Sequence, residues 1–308
     1  MITRVDVEAA WGRIKNHVRR TPVIELPAGA LGLGHPLAVK LEQLQVSGTF
    51  KGRGAFHKLV SSAVPAAGVI AASGGNHGAA VAYAARALGH KAEIFVPTIT
   101  SAAKLARLRS YGATVTQVGA VYAEARAASE TRAAETGALV VHAYEDPGVF
   151  AGAGSVALEF AEQARFDTLL VAVGGGGLIA GCATAIGEKT KVVAIETDGT
   201  PTLFEARRAG KPVPVAISGI AADALGASLI GTPNFEIARR LVADALLVTD
   251  DAVRTAQRAL WDELRVIAEP AGATALAALM SGVYKPASGE RVGLLVCGAN
   301  TEPGSVVA

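Results

Sequence analysis

Thr168-Leu169-Leu170-Val171-Ala172-Val173-Gly174-Gly175-Gly176-Gly177-Leu178-Ile179-Ala180-Gly181-Cys182-Ala183-Thr184-Ala185-Ile186-Gly187 is a run without a single charge. At about 20 residues it is long enough to cross a bilayer. Four consecutive glycines stand at its centre, and each would cost a helix interior about 1 kcal/mol relative to alanine. A buried strand over 168–173, a glycine turn and a helix over 178–187 account for the same residues better. On this reading the chain is soluble and has no membrane partner.

The same alternation extends in both directions. Apolar strands are expected at 37–41, 69–72, 92–96, 114–118, 139–142, 192–196, 245–248 and 292–297. Helices are expected at 5–18, 52–62, 76–88, 101–111, 122–136, 152–164, 235–242, 250–264 and 269–280. Strands alternating with helices of this length predict an α/β fold, a mostly parallel sheet covered by helices on both faces. There is no internal repeat and no low-complexity linker, so composition alone marks no domain boundary.

The chain has 308 residues, is 51% hydrophobic and carries a net charge of +2. That is enough apolar mass for one large core or two smaller ones. No basic cluster stands out, which argues against nucleic acid as a partner. Cys182 and Cys297 lack metal-ligand spacing, and Cys182 reads as a reduced, buried thiol. Residues 1–20 mix charges throughout and contain no apolar signal core. Together these features predict a cytoplasmic protein.

Two of the strand-to-helix turns are glycine-rich: Ser73-Gly74-Gly75-Asn76-His77-Gly78 and Gly174-Gly175-Gly176-Gly177-Leu178. Such turns present free backbone N–H groups at the positive end of a helix, where a phosphate or carboxylate binds. In an open parallel sheet both lie at the carboxyl ends of strands, where ligands sit. A tight packing turn is the simpler reading for a glycine pair, but four in a row exceed what packing needs. The 175–180 stretch also matches the G-x-G-x-x-A dinucleotide fingerprint, with Glu196 placed as a ribose-binding acid. A nicotinamide-dependent oxidoreductase therefore stays open at this point, although it leaves the 73–78 turn unexplained.

Ser47-Gly48-Thr49-Phe50-Lys51-Gly52-Arg53-Gly54-Ala55 resembles the cofactor-lysine motif of fold-type II pyridoxal-phosphate enzymes. More narrowly it resembles the serine/threonine dehydratase and serine racemase group. The 73–78 turn, the 174–178 turn and Cys297-Gly298-Ala299-Asn300 follow in the family's order and at about its spacing. Arg20-Thr21-Pro22 and Glu269-Pro270-Ala271-Gly272 also resemble family segments, so the similarity covers essentially the whole chain.

The resemblance implies pyridoxal 5'-phosphate as cofactor, with Lys51 as Schiff-base lysine and general base. It implies Phe50 beside the pyridine ring, Asn76 on the ring's phenolic oxygen and Cys297 at the ring nitrogen. The amides of Gly174, Gly175, Gly176, Gly177 and Leu178 would bind the phosphate. Ser73, Gly74, Asn76 and His77 would enclose the substrate carboxylate, largely through backbone N–H groups. The fold implied is two α/β domains, a large one from 1–67 and 143–308 and a small inserted one at 68–142. The activity implied is β-elimination of L-threonine or L-serine to a 2-oxo acid and ammonia. The alternatives are a racemase and a dehydratase of another β-hydroxy amino acid.

Several family features are missing. A metal site in some relatives begins at the position of Glu196, but Thr202 stands where the second acid belongs, so no metal is expected. Few residues follow Asn300 in this sequence, so no feedback-regulatory domain is expected. Where racemases of the group carry a serine before the Gly-Asn-His stretch, this chain has Gly74. Family habit suggests a homodimer.

Overall fold

The computed structural model describes residues 1–307. The chain opens with α1 (Arg4–Ile14), β1 (Val23–Leu26), β2 (Leu37–Lys40) and α2 (Lys51–Val60). It continues through β3 (Val69–Ala72), α3 (Asn76–Ala87), β4 (Ala92–Val96), α4 (Ala102–Ser110), β5 (Thr114–Gln117), α5 (Tyr122–Thr136) and β6 (Leu139–Val140). Then come α6 (Pro147–Gln163), β7 (Thr168–Ala172), α7 (Gly177–Ile186), β8 (Lys191–Thr197), α8 (Thr202–Ala209), α9 (Ala222–Leu225) and α10 (Thr232–Leu241). The last elements are β9 (Asp244–Val248), α11 (Asp250–Leu264), α12 (Pro270–Met280), β10 (Val292–Leu295) and α13 (Gly304–Val307).

One sheet has the order β1-β2-β10-β7-β8-β9 and is parallel except for the antiparallel edge pair β1–β2. A second, all-parallel sheet, β5-β4-β3-β6, is built entirely between Val69 and Val140. The chain thus leaves the large sheet after β2, completes the small sheet and returns with β7. Leu169 and Val171 join one core cluster with α6 and α7, while Leu170 joins another with α12. That is the period-2 alternation of a strand buried on both faces. The edge strand β5 is different, with Thr114 and Gln117 exposed.

Small side chains let the helices pack closely. A Cβ on Gly154 of α6 would lie 2.5 Å from the carbonyl oxygen of Gly181 on α7, so these two helices touch backbone to backbone. The low aromatic content follows from this packing.

Several elements depart from the sequence reading, four of them instructively. Residues 23–26 form an edge strand where none was expected; prolines at 22 and 27 flank it, and it pairs on one side only. Helix α6 starts at Pro147 rather than at 152, because Asp146 caps it by accepting from the Gly148 N–H at 2.8 Å and Pro147 opens the first turn. Helix α1 ends at Ile14 rather than 18, and just beyond it the His17 N–H bonds the Ile14 carbonyl three residues back in a tightened turn. Helix α8 was also unforeseen, and its start is fixed by Glu196, described below.

Candidate active site

Lys51 is the first residue of α2, and its neighbours tie it to the end of β10. Phe50 donates its N–H to the Cys297 carbonyl at 3.1 Å, and Thr49 Oγ1 donates to the same oxygen at 3.2 Å. Lys51 Nζ lies 5.2 Å from the Phe50 ring centroid and donates to the Ala143 carbonyl at 3.1 Å. Burial pulls the Lys51 amine down to about 8, opposed in part by Cys297 and Glu269. Two residues further on, Arg53 is fully buried and ion-paired with both Glu42 and Glu159, and Glu159 also holds the buried Lys40. This neutral cluster anchors the start of α2.

Between β7 and α7, Gly176 adopts φ +88°, a left-handed conformation that favours glycine. The loop's carbonyls are held from outside. Gly174 O accepts from Thr202 Oγ1 at 2.7 Å, and Gly175 O accepts from Asn234 Nδ2 at 2.9 Å. Among the described residues, no protein acceptor receives the N–H groups of Gly174, Gly175, Gly176, Gly177 or Leu178. A Cβ at Gly175 would collide with the Tyr144 ring, and one at Gly174 would lie 2.9 Å from Leu225 Cα. Five free donors at the positive end of a helix, in a loop with no room for side chains, make an anion cradle. Tyr144, which covers it, is pushed up to about 12 by burial and stays neutral.

A second set of free donors opens α3. The N–H groups of Gly74, Asn76 and His77 have no protein acceptor among the described residues, while that of Gly75 reaches Ser73 Oγ at 3.3 Å. The His77 ring points away: Nε2 donates to the Val141 carbonyl at 2.8 Å, and burial, with Lys51 adding to it, pulls its pKa down to about 3. His77 therefore offers its backbone to this loop and not its imidazole. Asn76 Nδ2 donates to Glu269 Oε1 at 2.7 Å, and Asn76 Oδ1 accepts from Asn300 Nδ2 at 2.5 Å. One Nδ2 hydrogen remains for a ligand.

Cys297 is buried at the back of this cavity, its Sγ donating to the Ala271 carbonyl at 3.4 Å, and burial pushes its thiol up. Lys51, Asn76, Tyr144, Glu269, Cys297 and the 174–178 loop line one cavity, which opens past Lys51 and Asn76 into a larger cleft bounded by the 73–77 loop. The residues singled out in the sequence thus converge. Cys182 is separate, buried within α7 and lining neither space. Sequence reasoning gave no role to Glu269, Asn300, Tyr144 or Asn234. The first two lay inside segments that carried the resemblance, whereas Tyr144 and Asn234 stand in stretches without any motif.

Glu196, at the end of β8, serves the fold. Its carboxylate accepts from the N–H groups of Leu203 and Phe204, at 2.8 and 2.7 Å, and Thr202 Oγ1, whose proton goes to the Gly174 carbonyl, lies 3.0 Å away. With both oxygens occupied at the start of α8, it is not free to bind a ribose, which removes the acid that the dinucleotide reading needs. Among the described residues, no group of three His, Cys, Asp or Glu side chains is gathered as a metal site. No helix among them is long and apolar enough to cross a membrane.

The profile of the family described as "Pyridoxal-phosphate dependent enzyme" matches residues 14–298. The chain belongs to this family. Its cofactor is pyridoxal phosphate, and the residues fit that group: a free amine in a buried cavity lies beside a phosphate-sized nest of N–H donors. Among this enzyme's relatives is a phenylserine dehydratase of Ralstonia pickettii, 38% identical, with 97% of this chain and 94% of the relative covered. An L-threonine ammonia-lyase of Geobacter sulfurreducens is 37% identical over 96% of this chain and 75% of its own. The structure of maize serine racemase superposes with a TM-score of 0.93 at 32% identity, covering 99% of this chain and 95% of the other. The fold is accordingly that of the fold-type II pyridoxal-phosphate enzymes.

Proposed function

We propose that this enzyme eliminates the β-hydroxyl of an amino acid of the serine and threonine class, yielding a 2-oxo acid and ammonia. The observation that carries the reading is the convergence of Lys51 Nζ and two separate sets of free backbone donors on one continuous space. In this reading Lys51 holds the cofactor covalently, the N–H groups of Gly174, Gly175, Gly176, Gly177 and Leu178 bind its phosphate, and Phe50 packs beside its ring. Asn76 directs its spare N–H to the phenolic oxygen. Cys297 meets the ring nitrogen as a neutral thiol. The N–H groups of Gly74, Asn76 and His77, with Ser73 beside them, receive the substrate carboxylate.

Bound pyridoxal phosphate supplies the electron sink that makes a substrate Cα–H acidic. Lys51 Nζ takes that proton, and its lowered proton affinity leaves a usable fraction of free amine near neutral pH. Loss of the β-hydroxyl with a proton as water leaves an enamine, which hydrolyses to the 2-oxo acid and ammonia. Gly74 offers no acid/base group on the far side of the substrate, which favours elimination over racemisation.

Residues 68–142, which carry the smaller sheet, are proposed as the inserted domain, and 1–67 with 143–308 as the larger one. A cytoplasmic homodimer completes the reading. Borohydride reduction of the holoenzyme, peptide mapping, and an assay of 2-oxo acid from L-threonine and L-serine test it. Label on Lys51 and 2-oxo acid production are expected, with both lost in Lys51→Ala. Label on Lys40 or Lys58, or no 2-oxo acid, would sink the reading.

A further inference from the structure

The cleft in front of Lys51 encloses about 520 Å³. Serine and threonine bring only small groups beyond Cα, so most of this space lies out of their reach. Its outer walls mix polar groups, Thr100, Ser101 and Ser228 among them, with an apolar strip. Pro97 and Ile99 follow β4, Tyr122 opens α5, and Ala222 and Ala227 keep the facing wall thin. Ile99 is 80% exposed and Tyr122 48%, so two large apolar side chains stand in water at the mouth. The wall's outer cation, Lys104, is already ion-paired with Asp223 across the cleft. A second carboxylate on the substrate would find no unpaired cation there, whereas an apolar group would find Ile99, Tyr122 and the alanines.

We propose that this rim selects β-hydroxy amino acids with an aryl or bulky alkyl group on Cβ, and that Ile99 and Tyr122 are the residues that select it. The proposal rests on the elimination reading above and narrows its substrate class. Transfer of a phenyl ring from water to an apolar wall is a large enough effect to dominate discrimination between substrates alike at Cα.

The test compares kcat/KM of the holoenzyme for L-threonine, L-threo-3-phenylserine and L-threo-3-hydroxyaspartate. Phenylserine should exceed threonine by about tenfold or more, with hydroxyaspartate below both. Ile99→Ala and Tyr122→Ala should shrink the phenylserine-to-threonine ratio severalfold, whereas a merely structural effect lowers both substrates alike. Preference for threonine, or an unchanged ratio in both variants, overturns the proposal. If no substrate yields 2-oxo acid, the elimination reading fails by itself. Binding then decides the rim, measured as the change in the cofactor's visible absorbance on titration with L-phenylalanine and L-alanine. Phenylalanine binding about tenfold more tightly supports the apolar rim, and equal or weaker binding overturns it.

Discussion

Asn76 and Glu269 stand on helix starts that belong to different sheets, yet they meet in one hydrogen bond of 2.7 Å. With Asn300 holding the other side of the amide, the bond fixes which way Asn76 faces. Glu269→Ala should release the amide and weaken cofactor binding by about tenfold, the order of one hydrogen bond to a charged or buried acceptor. Glu269→Gln keeps an acceptor and should retain most of the affinity. Burial raises the Glu269 carboxyl from 4.5 to about 7. The folded chain therefore holds a proton that the unfolded chain releases between those values. Its contribution to stability is greatest at low pH and falls as pH rises towards 7. Urea unfolding of the cofactor-free protein at pH 5 and 7.5 should show that fall in the parent and a flatter response in Glu269→Gln. Identical slopes would mean that Glu269 is ionised throughout.

The Tyr144 ring over the proposed phosphate cradle gives a second test. Gly175→Val drives a side chain into the Tyr144 ring and pushes the loop off the anion. Cofactor affinity should fall by about a hundredfold, as when two or three charge-assisted hydrogen bonds are lost, and by far more than the melting temperature of the cofactor-free chain changes. Replacing Tyr144 with Ala in the same variant makes room and should recover part of that affinity. Equilibrium dialysis with pyridoxal phosphate measures both. Parental affinity in Gly175→Val would remove the loop from the phosphate site.

Much of this was legible in the sequence. Strands such as β7 and β8 are short apolar runs between turn signals, and the two glycine turns declare their free donors through composition. What stayed hidden depends on partners distant in sequence. Nothing near Tyr144 says that its ring covers a loop after β7. Glu196 looked like a ligand-binding acid because its two donors, the N–H groups of Leu203 and Phe204, belong to a helix with no strong start signal of its own. The use of Gly152 and Gly154, close contact with α2 and α7, exists only in three dimensions.

Arg53 tests how far the buried ion cluster supports Lys51. Removing the guanidinium leaves Glu42 and Glu159 with Lys40 as their remaining buried cation. Arg53→Ala should cost about 3–5 kcal/mol in denaturant unfolding, the usual penalty for breaking a buried pair. Because Arg53 sits two residues from Lys51 on α2, turnover should fall as well. Joint replacement with Arg53→Met and Glu42→Gln removes one charge of each sign and should be less damaging than Arg53→Ala. If the single variant is as stable as the parent, the cluster does not anchor α2.

Gly74 separates elimination from racemisation. Returning a proton to the face opposite Lys51 requires an acid there, and Gly74 has no side chain to supply it. Ser73, one residue earlier, uses its hydroxyl oxygen to accept from the Gly75 N–H at 3.3 Å. That oxygen is therefore turned toward the Gly75 amide. L-Serine should accordingly be consumed with little or no D-serine formed, as read by chiral chromatography alongside 2-oxo acid production. Rapid conversion of L- to D-serine would show that another group supplies the second proton. A Cβ added at Gly74 would lie 3.0 Å from Thr100 Cγ2, a contact relieved by a shift of a few tenths of an ångström. Gly74→Ser should therefore fold and bind cofactor, and it should introduce measurable D-serine. If the variant makes none while its elimination activity persists, a hydroxyl at position 74 does not reach the substrate Cα.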